Sequence, residues 1–584
     1  MPGLSGTLDI ARWSLYASQL AMEVTAHNIA NANTVGYSKQ SLRIETNPAI
    51  SIAPGQLGTG VKGVEVYRAY DDFITKQVTM KRSDYNYWSS QNTAMEEIEM
   101  VFNESGGYGI NNLMGQFWNA WSDVSNNPDG IPERDALIAK STNLAQAIKD
   151  IDYNLRSYQR HLNSNIQGAV EKVNSILQQI ADINGQISSV EIKGRINAND
   201  LRDQREKLLD ELSEYMDISY YEEQQSGQVM VYILGGTPLV LGVDAYSLSS
   251  ERNATTGNTD VMWNDSSGRE VNITHRLKGG KIAGWVNVRD TRIGSYLDSL
   301  NTLTGELIWQ VNDLHSLGTG LNPVSSMTGT VEITDPTAAI DGAGNYSFSS
   351  RFTAGGSFDI VTYDAAGNVS STGTVTLAAG ATVNDLIAAV NGITNMNAAL
   401  DADNYLQLTA DAGFTFAIKT STSGESNHAL AILGVNSYFT WDAQAGDFTE
   451  NIDVNPALES NLDLIAAGRL DSNNRVAPGD NTTALAIFGL QDKVIDMGGN
   501  NTTMDAYYSS FISEVGVHTQ NAQMNEKYND TLLGEYVSRK ESVAGVNLDE
   551  EMADLLKFQH AYQAASKLIA VSDEMLQTLL SLKQ

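Results

Sequence analysis

The chain has 584 residues, which is too long for a single hydrophobic core and predicts roughly three to five domains. Its net charge of −33 argues against nucleic acid and against an anionic membrane surface as partners, since both would repel it. The chain has no cysteine, which excludes disulfides, iron–sulfur clusters and thiol catalysis. We also find no basic and apolar secretory signal and no run of roughly 18 apolar residues, and therefore expect neither a Sec substrate nor a membrane protein.

The first predicted element is a helix over residues 4–31. Large and small side chains alternate along it at steps of three and four, which is the spacing of a coiled-coil seam. We predict that this N-terminal seam is an assembly interface, formed by Leu8, Ala11, Leu15, Ser18, Met22, Thr25 and Ile29. A second seam runs beside it through Ile10, Trp13, Ala17, Leu20, Val24 and His27. A helix with two apolar stripes needs more than one partner to cover them.

Turn-forming residues end this helix. Residues 31–39 collect asparagine, threonine and serine, and Gly36 can supply a positive φ. Residues 1–39 therefore form the predicted N-terminal assembly helix and turn. Residues 40–70 alternate apolar and polar side chains between glycines, which predicts an extended or β-hairpin connector.

Helical periodicity returns after the connector and continues to about residue 320. The predicted helices cover about 71–102, 112–125, 132–187 and 198–214, followed by another from about 281 to 315. Between them, residues 215–275 read as short strands. We therefore predict a helical domain over 71–320 with a small β insertion at about 215–275.

The composition changes to Thr, Ser, Ala, Gly, Asn and Asp from residue 321. Residues 321–450 hold 13 acidic residues against two basic ones, with several short alternating runs and one helix over 382–391. We predict a β-rich outer domain over 321–455 and a returning helical segment over 456–544, helical in pattern from 484 to 537. Residues 545–584 form the predicted C-terminal assembly helix, with acidic residues in its first turn. Its predicted interface is Leu555, Phe558, Tyr562, Ala565, Ile569, Leu576 and Leu579.

This order of segments describes a chain that runs outward and returns. Each end carries an apolar stripe that needs cover, so we expect the termini to meet. The predicted fold class is α+β multidomain, with paired N- and C-terminal coiled-coil helices, a long helical-bundle domain and inserted β-rich outer domains. The apolar stripes are also what a polymer subunit requires, because a lone amphipathic helix is marginal in water and is stabilised by its neighbours.

A motif in the first turn region identifies a family. Residues 28–37 resemble the signature A-N-N-I-A-N-x-x-T-x-G-[YF] of the axial proteins of the bacterial flagellum, although His27 stands where the family usually has Asn. The continuation Ser38-Lys39-Gln40 resembles the FlgK-type hook-associated branch of that family. Residues 545–564 and 570–580 resemble its C-terminal block, and residues 117–123 and 311–318 resemble further FlgK-type stretches. The motif residues are Asn28, Ile29, Ala30, Asn31, Thr34, Gly36 and Tyr37.

The resemblance implies a structural subunit at the hook–filament junction, which joins hook to filament by self-assembly through its terminal helices. It implies export through the flagellar type III pathway without a signal peptide, and a place outside the cell in the flagellum. The implied partners are other copies of the chain, the hook protein, a second hook-associated junction protein and an FlgN-type export chaperone at the C-terminal helix. No nucleic acid, membrane or cofactor is implied.

Three alternatives remain at this level. The chain could be another axial protein, such as a hook or distal rod protein. The 321–450 segment could act as an adhesin-like binding domain. An enzyme is not expected, because the chain has no zinc-protease, phosphate-loop or serine-hydrolase motif, and its seven histidines lack metal-ligand spacing. We therefore predict no catalytic, metal or cofactor residues.

Overall fold

A computed structural model describes residues 3–53, 55–103, 107, 109–192, 195–265, 267–421, 426–442 and 446–581. The outermost residues of the two predicted assembly segments, 1–2 and 582–584, lie outside this range. In the described part of the chain the α-helices are α1 (Leu4–Asn31), α2 (Asp72–Val101), α3 (Ile110–Asn126), α4 (Ile131–Val190), α5 (Asn199–Tyr215), α6 (Gly280–Val286), α7 (Ile293–Ser316), α8 (Val383–Asn391), α9 (Ala429–Ile432), α10 (Phe448–Asn451), α11 (Pro456–Ser460), α12 (Thr482–Phe488), α13 (Met504–Ala544) and α14 (Leu548–Ser581).

The strands pair into small antiparallel sheets, which accords with an α+β protein. The strands are β1 (Gln40–Thr46), β2 (Ile50–Ile52), β3 (Gly55–Leu57), β4 (Val61–Arg68), β5 (Ile218–Glu222), β6 (Val229–Ile233), β7 (Pro238–Leu241), β8 (Asp244–Ala245), β9 (Leu248–Arg252), β10 (Thr259–Asn264), β11 (Glu270–Asn272), β12 (Ser326–Glu332), β13 (Ser357–Tyr363), β14 (Val369–Thr376), β15 (Met396–Leu400), β16 (Tyr405–Ala410), β17 (Thr415–Thr420), β18 (Phe439–Thr440), β19 (Asp453–Val454), β20 (Ile495–Met497) and β21 (Asn500–Thr502).

The predicted connector folds as a twisted hairpin. β1 pairs antiparallel with β4 from Gln40 opposite Arg68 to Thr46 opposite Val61, with a register shift after Arg43. A bulge of this kind strengthens the local twist of a two-stranded ribbon. The short pair β2–β3 forms the far end of the hairpin. A β-hairpin thus lies between α1 and α2.

Two groups of strands build the β-rich regions. The four-stranded sheet β5–β6–β7–β8 and the three-stranded sheet β11–β10–β9 account for the predicted insertion between α5 and α6. Further along the chain, β12–β16–β15 and β14–β13–β17 form two three-stranded sheets. The predicted short helix between them is α8, and its Thr382 and Asp385 form a reciprocal capping box.

The returning segment departs from its helical pattern in one place. The pattern predicts helix from 484 to 537, but the structure ends α12 at Phe488 and inserts the hairpin β20–β21 before α13. Gly498 and Gly499 turn this hairpin with φ values of +64° and +93°. Such left-handed backbone is open to glycine and strained for other residues, so the Gly-Gly pair makes the turn of the hairpin.

The chain divides into two compact units. The first unit comprises Met1–Met95, Arg160–Asp290 and Thr519–Gln584, and its core packs α4 against the insertion sheets. The second comprises Glu96–Gln159 and Thr291–His518. Its core includes an aromatic cluster of fully buried rings at Phe117, Trp118, Trp121, Tyr438 and Phe439. Both terminal helices belong to the first unit.

Candidate functional site

The two terminal helices lie side by side as an antiparallel pair. α1 packs against α14, and Asn28 Nδ2 near the end of α1 donates to Glu551 Oε2 in the first turn of α14 at 2.9 Å. Just past α1, the Lys39 backbone N–H donates to the Ala544 carbonyl at 2.7 Å. The end of α1 therefore meets the beginning of α14, and the expectation that the termini meet is confirmed.

The N-terminal seam is covered within a single chain. Its small residues Ala11, Ser18 and Thr25 are buried, and its large residues Leu8, Leu15, Met22 and Ile29 are half-buried. On α14, Ala565 and Ser572 are buried, and Leu555, Phe558, Tyr562 and Ile569 are half-buried. The small positions are buried most because they let the two backbones approach, while the large side chains reach across at the edges.

The spacing of the two seams explains this packing. Equal steps along antiparallel helices set large residues opposite small ones when they are counted from Asn28 opposite position 552, one residue beyond its hydrogen-bond partner Glu551. The opposed positions are Leu8 and Ser572, Ala11 and Ile569, Leu15 and Ala565, Ser18 and Tyr562, and Thr25 and Leu555. Met22 opposite Phe558 is the pair in which both side chains are large. Alternation of this kind lets two faces interdigitate without voids.

The last turns of α14 extend past the partner helix. Leu576 is 37% exposed and Leu579 is 53% exposed, unlike the other five residues of the predicted C-terminal interface. In the same count of steps, residue 576 lies opposite Leu4, where α1 begins. These two leucines are therefore apolar side chains that the described chain leaves uncovered.

The second seam of α1 meets the β1–β4 hairpin. A side chain at Gly60 would lie 3.2 Å from the Cα of Ile10, and one at Gly63 would lie 3.3 Å from Leu20 Cδ2. Both contacts are tighter than ordinary side-chain packing, so glycine lets the hairpin approach the helix. α1 thus has its own chain on two sides, α14 along one face and the hairpin along another.

Asn28 is the polar centre of the family motif, and its side chain is 1% exposed. Its amide pairs in both directions with the backbone of Gln40, accepting from the N–H at 2.9 Å and donating to the carbonyl at 2.8 Å. The Tyr37 hydroxyl donates to Asn28 Oδ1 at 2.8 Å, and Asn28 Nδ2 also donates to Glu551. One amide therefore joins the end of α1, the start of β1 and the start of α14.

The other motif residues form the helix stop. Asn31 Nδ2 donates to the His27 carbonyl at 3.1 Å, and Thr34 Oγ1 donates to Asn31 Oδ1 at 3.2 Å. Gly36 takes a φ of +84°, which favours glycine. Of the remaining two positions, Ile29 is half-buried in the seam and Ala30 is exposed. These contacts agree with the prediction of a helix stop and turn that satisfies freed backbone groups with side chains.

A row of acids on α5, which the sequence analysis missed, connects the motif to the rest of the first unit. We call it the acid ladder; it consists of Asp200, Asp203, Glu206, Asp210 and Glu214. Their spacing of three or four residues puts them on one face of the helix. That spacing is the signal that could have drawn attention to them in the sequence.

The middle of the acid ladder binds the motif turn and the hairpin. Asp203 accepts from both the backbone N–H and the hydroxyl of Ser38, each at 2.9 Å. Arg68 Nη1 lies 2.7 Å from Asp203 Oδ1 and 2.7 Å from Glu206 Oε2. At the upper end of the ladder, Gln40 Nε2 donates to Asp200 Oδ1 at 2.8 Å.

The lower part of the ladder binds α13. Lys540 Nζ lies 2.7 Å from Glu206 Oε1 and 3.5 Å from Asp210 Oδ2. Burial works to raise the pKa of Glu206, but the nearby Arg68 and Lys540 charges outweigh it and hold the pKa below its usual value. For Asp203 and Asp210, burial prevails and raises the pKa. The two cations therefore stabilise the charged form of Glu206 most, and the ladder joins the turn after α1 and the helix before α14 to the same element.

The contacts of this site hold segments of the chain together. The site consists of a buried amide, paired charges and an apolar helix pair, and among the described residues no group of three or more His, Asp or Glu side chains is arranged to hold a metal ion. Within the described ranges, we also find no helix that is both long and apolar enough to cross a membrane.

Three family models match the chain. The flagellar hook-associated protein FlgK helical domain matches residues 95–329. The flagella basal body rod protein model matches residues 8–37, and the model of the C-terminal part of the flagellar basal body rod FlgEFG proteins matches residues 541–582. The two rod-protein matches coincide with the helix pair and the motif turn.

Curated relatives match over nearly their full length. The flagellar hook-associated protein 1 of Bacillus subtilis is 27% identical over 581 residues, covering 98% of this chain and 97% of the relative. The protein of the same name from Escherichia coli is 24% identical over 589 residues, covering 99% of this chain and all of the relative.

A solved structure has a similar fold. The flagellar hook junction protein FlgK from Burkholderia pseudomallei superposes with a TM-score of 0.51 at 14% sequence identity. The match covers 80% of this chain and 100% of that one. At this identity the likeness concerns the fold alone.

Proposed function

We infer that this chain belongs to the FlgK family of flagellar hook-associated proteins and acts as a structural subunit of the hook–filament junction. The family is structural, and the chain is accordingly a flagellar component with hook-related assembly partners. The rod-protein matches are confined to the two ends, whereas the hook-associated relatives match throughout, which supports a junction protein over a hook or distal rod protein.

We propose that copies of the chain assemble through the terminal helix pair. The observation that carries this proposal is the incomplete cover of the pair. Its inner seam is filled by its own chain, yet Trp13, Tyr16 and Leu20 of α1 and Leu568, Val571 and Met575 of α14 stay exposed. Burying one large apolar side chain contributes roughly 1.5–3 kcal/mol, so neighbouring copies have much to gain by covering these residues.

The acid ladder and Asn28 give the proposed assembly element a fixed base. The turn that follows α1, the hairpin beside it and α13, which precedes α14, contact α5 through Ser38, Arg68 and Lys540. A subunit that transmits force between a hook and a filament needs its assembly helices anchored in this way. The proposed neighbours are further copies of the chain, the hook protein on one side and a second hook-associated protein on the other.

We further propose that the chain leaves the cell by the flagellar type III pathway and that an FlgN-type chaperone binds α14 beforehand. The exposed apolar side chains of α14 are the surface that such a chaperone would cover. Outside the cell, the same side chains would meet neighbouring subunits.

Deletion of either terminal segment tests the assembly proposal. We expect that a chain lacking residues 1–30 or 550–584 keeps a folded second unit but does not enter flagella. Electron microscopy of a strain with either deletion should show hooks without filaments, with filament protein shed to the medium. Filament-bearing flagella built from either deletion variant would contradict the proposal. A chain lacking residues 326–420 is the control; it retains Tyr438 and Phe439 of the aromatic core, and we expect it to assemble.

A further inference from the structure

A lysine and an asparagine side chain meet over one face of the sheet β14–β13–β17. Lys419 Nζ on β17 donates to Asn474 Oδ1 at 2.6 Å, although the two residues are 55 positions apart in the chain. A hydrogen bond of this length also brings the lysine nitrogen close to the amide carbon of Asn474. The contact therefore places an amine, which is a nucleophile in its neutral form, beside a carbonyl carbon.

The amide of Asn474 is held in one orientation. Its residue has a φ of +58°, which is uncommon for any residue other than glycine. The backbone N–H donates to the Asp471 carbonyl at 3.0 Å, and the backbone carbonyl accepts from the Tyr363 hydroxyl at 2.7 Å. The side-chain Nδ2 donates to Thr372 Oγ1 at 3.3 Å. Sparsely populated backbone that several contacts hold in place is a common feature of functional sites.

A buried carboxylate lies beside the lysine. Asp359 in β13 pairs across the sheet with Lys419 in β17 and with Thr374 in β14. Side chains opposite each other on antiparallel strands have Cβ atoms about 4.5–5.5 Å apart. Asp359 is 5% exposed, and its Oδ1 accepts from Thr374 Oγ1 at 2.8 Å. A carboxylate in this position can take a proton from the amine and return it to a leaving group.

Apolar side chains surround these three polar groups. Alternate residues of a strand share a face, so Asp359 lies on the face of β13 that carries Val361 and Tyr363. The turn that contains Asn474 covers this face. The apolar cluster between the sheet and the turn consists of Val361, Tyr363, Ala417, Leu470 and Val476. Such packing excludes water, which would otherwise compete with the lysine for the amide carbon.

We propose that Lys419 and Asn474 condense into an isopeptide bond within the chain, with Asp359 moving the proton. Asp359 first accepts a proton from the lysine ammonium, and the neutral Nζ attacks Cγ of Asn474. The Nζ–Cγ bond forms and the Cγ–Nδ2 bond breaks. Nδ2 leaves as ammonium, with one proton from Nζ and the other returned by Asp359, which ends ionised as it began. The reaction needs no oxidant, reductant or co-reactant.

The bond has a consequence for the stability of the second unit. It closes the stretch of chain from residue 419 to residue 474 into a covalent loop, which joins β17 to the turn that precedes α12. A cross-link restricts the unfolded chain more than the folded one, so it opposes unfolding of the sheet. The bond would also keep the sheet attached to this turn when the subunit is under load.

The mass of the purified full-length chain tests the proposal. We expect the intact mass to be lower than the mass calculated from the sequence by one ammonia molecule. Proteolysis should then release a branched peptide that joins Lys419 to Asn474, which tandem mass spectrometry identifies. A chain with the full calculated mass and with separate Lys419 and Asn474 peptides would overturn the proposal.

Two variants test the roles of the lysine and the acid. We expect Lys419→Gln and Asp359→Asn each to have the full mass calculated for its own sequence, because one lacks the nucleophile and the other lacks the group that moves the proton. Asp359→Asn keeps the oxygen that accepts from Thr374, and circular dichroism checks that both variants are folded. A branched peptide in Asp359→Asn would contradict the role of the acid. If a variant does not fold, the mass of the parent chain still decides whether the bond exists.

A second lysine–amide contact provides a matched control. Lys140 Nζ donates to Gln116 Oε1 at 2.8 Å, and Gln116 in turn donates to the side chain of Asn112, which has no carboxylate to take a proton. We expect the peptides that contain Lys140 and Gln116 to remain separate. A cross-link at this pair as well would show that contact alone is sufficient, and would contradict the part assigned to Asp359.

Discussion

The aromatic core of the second unit and the terminal helix pair of the first differ in how much apolar surface they leave exposed to solvent. In the core, Phe117, Trp118 and Trp121 have no exposed surface. In the helix pair, the inner seam is filled but a tryptophan, a tyrosine and several leucines remain in contact with solvent. The core is fully buried within one chain, whereas the helix pair is buried on one face and exposed on the other.

Polar groups show the same contrast in another form. His315 lies wholly inside the second unit, where it is within 2.7 Å of the Asn436 carbonyl through Nδ1 and accepts from the Ala466 N–H through Nε2 at 2.9 Å. Both ring nitrogens are used, so the imidazole is held neutral. At the base of the helix pair, Asn28 and the acid ladder join separate segments of chain. Buried polarity thus completes a core in one unit and anchors an assembly element in the other.

The largest effect should come from truncating the aromatic core. We expect Trp121→Ala to lower the free energy of unfolding of the second unit by about 3–5 kcal/mol, the usual cost of emptying a buried aromatic site. Tyr16→Ala, on the exposed face of α1, should change stability by less than about 0.5 kcal/mol. Denaturant unfolding followed by tryptophan fluorescence and circular dichroism compares the two. A destabilisation by Tyr16→Ala as large as that by Trp121→Ala would contradict the distinction between the buried core and the exposed helix face.

A smaller loss of stability should follow from lowering the pH, because His315 takes up a proton only when the chain unfolds. Burial lowers the pKa of His315 to about 4, so the unfolded chain takes up a proton near pH 6.5 while the folded one does not. Stability from this residue is therefore present above about pH 6.5 and is lost as the pH falls toward 4. Between pH 7 and pH 5 the loss is about 2 kcal/mol.

The variant His315→Gln checks this assignment. It should be less stable than the parent chain at pH 7, but its unfolding free energy should change less between pH 7 and pH 5, by about the 2 kcal/mol that the histidine supplies. An unchanged pH dependence would mean that other groups cause the acid sensitivity. Asp217 of the first unit works in the opposite direction, since burial raises its pKa to about 6 and its contribution to stability falls as the pH rises toward 6.

The most local effect should come from Asn28→Ala. The substitution removes the amide that pairs with Gln40 and Glu551, and it leaves buried polar groups without partners at a cost of about 1–3 kcal/mol. Hydrogen exchange should become faster in α1 and α14 and stay unchanged in α3 and α7. Equal acceleration in all four helices would show that the anchor supports the whole chain rather than the helix pair.

Local pattern was sufficient for much of the fold. The helix α1 and its end at Asn31 follow from the spacing of apolar residues and from turn chemistry, and the structure has both. The interruption by β20–β21 was missed because apolar spacing continues on either side of a short hairpin. Gly498 and Gly499 were the local sign of it.

The sequence by itself determined which residues make α1 and α14 adhesive, because helical periodicity and side-chain size are properties of neighbouring positions. It did not determine which stripe faces which partner. That depended on residues far apart in the chain, as where Glu551 meets Asn28 and where Lys540 meets Glu206. Only the tertiary structure brings these groups together, and in doing so it assigns the inner seam to the chain itself and leaves Tyr16 and Leu568 exposed.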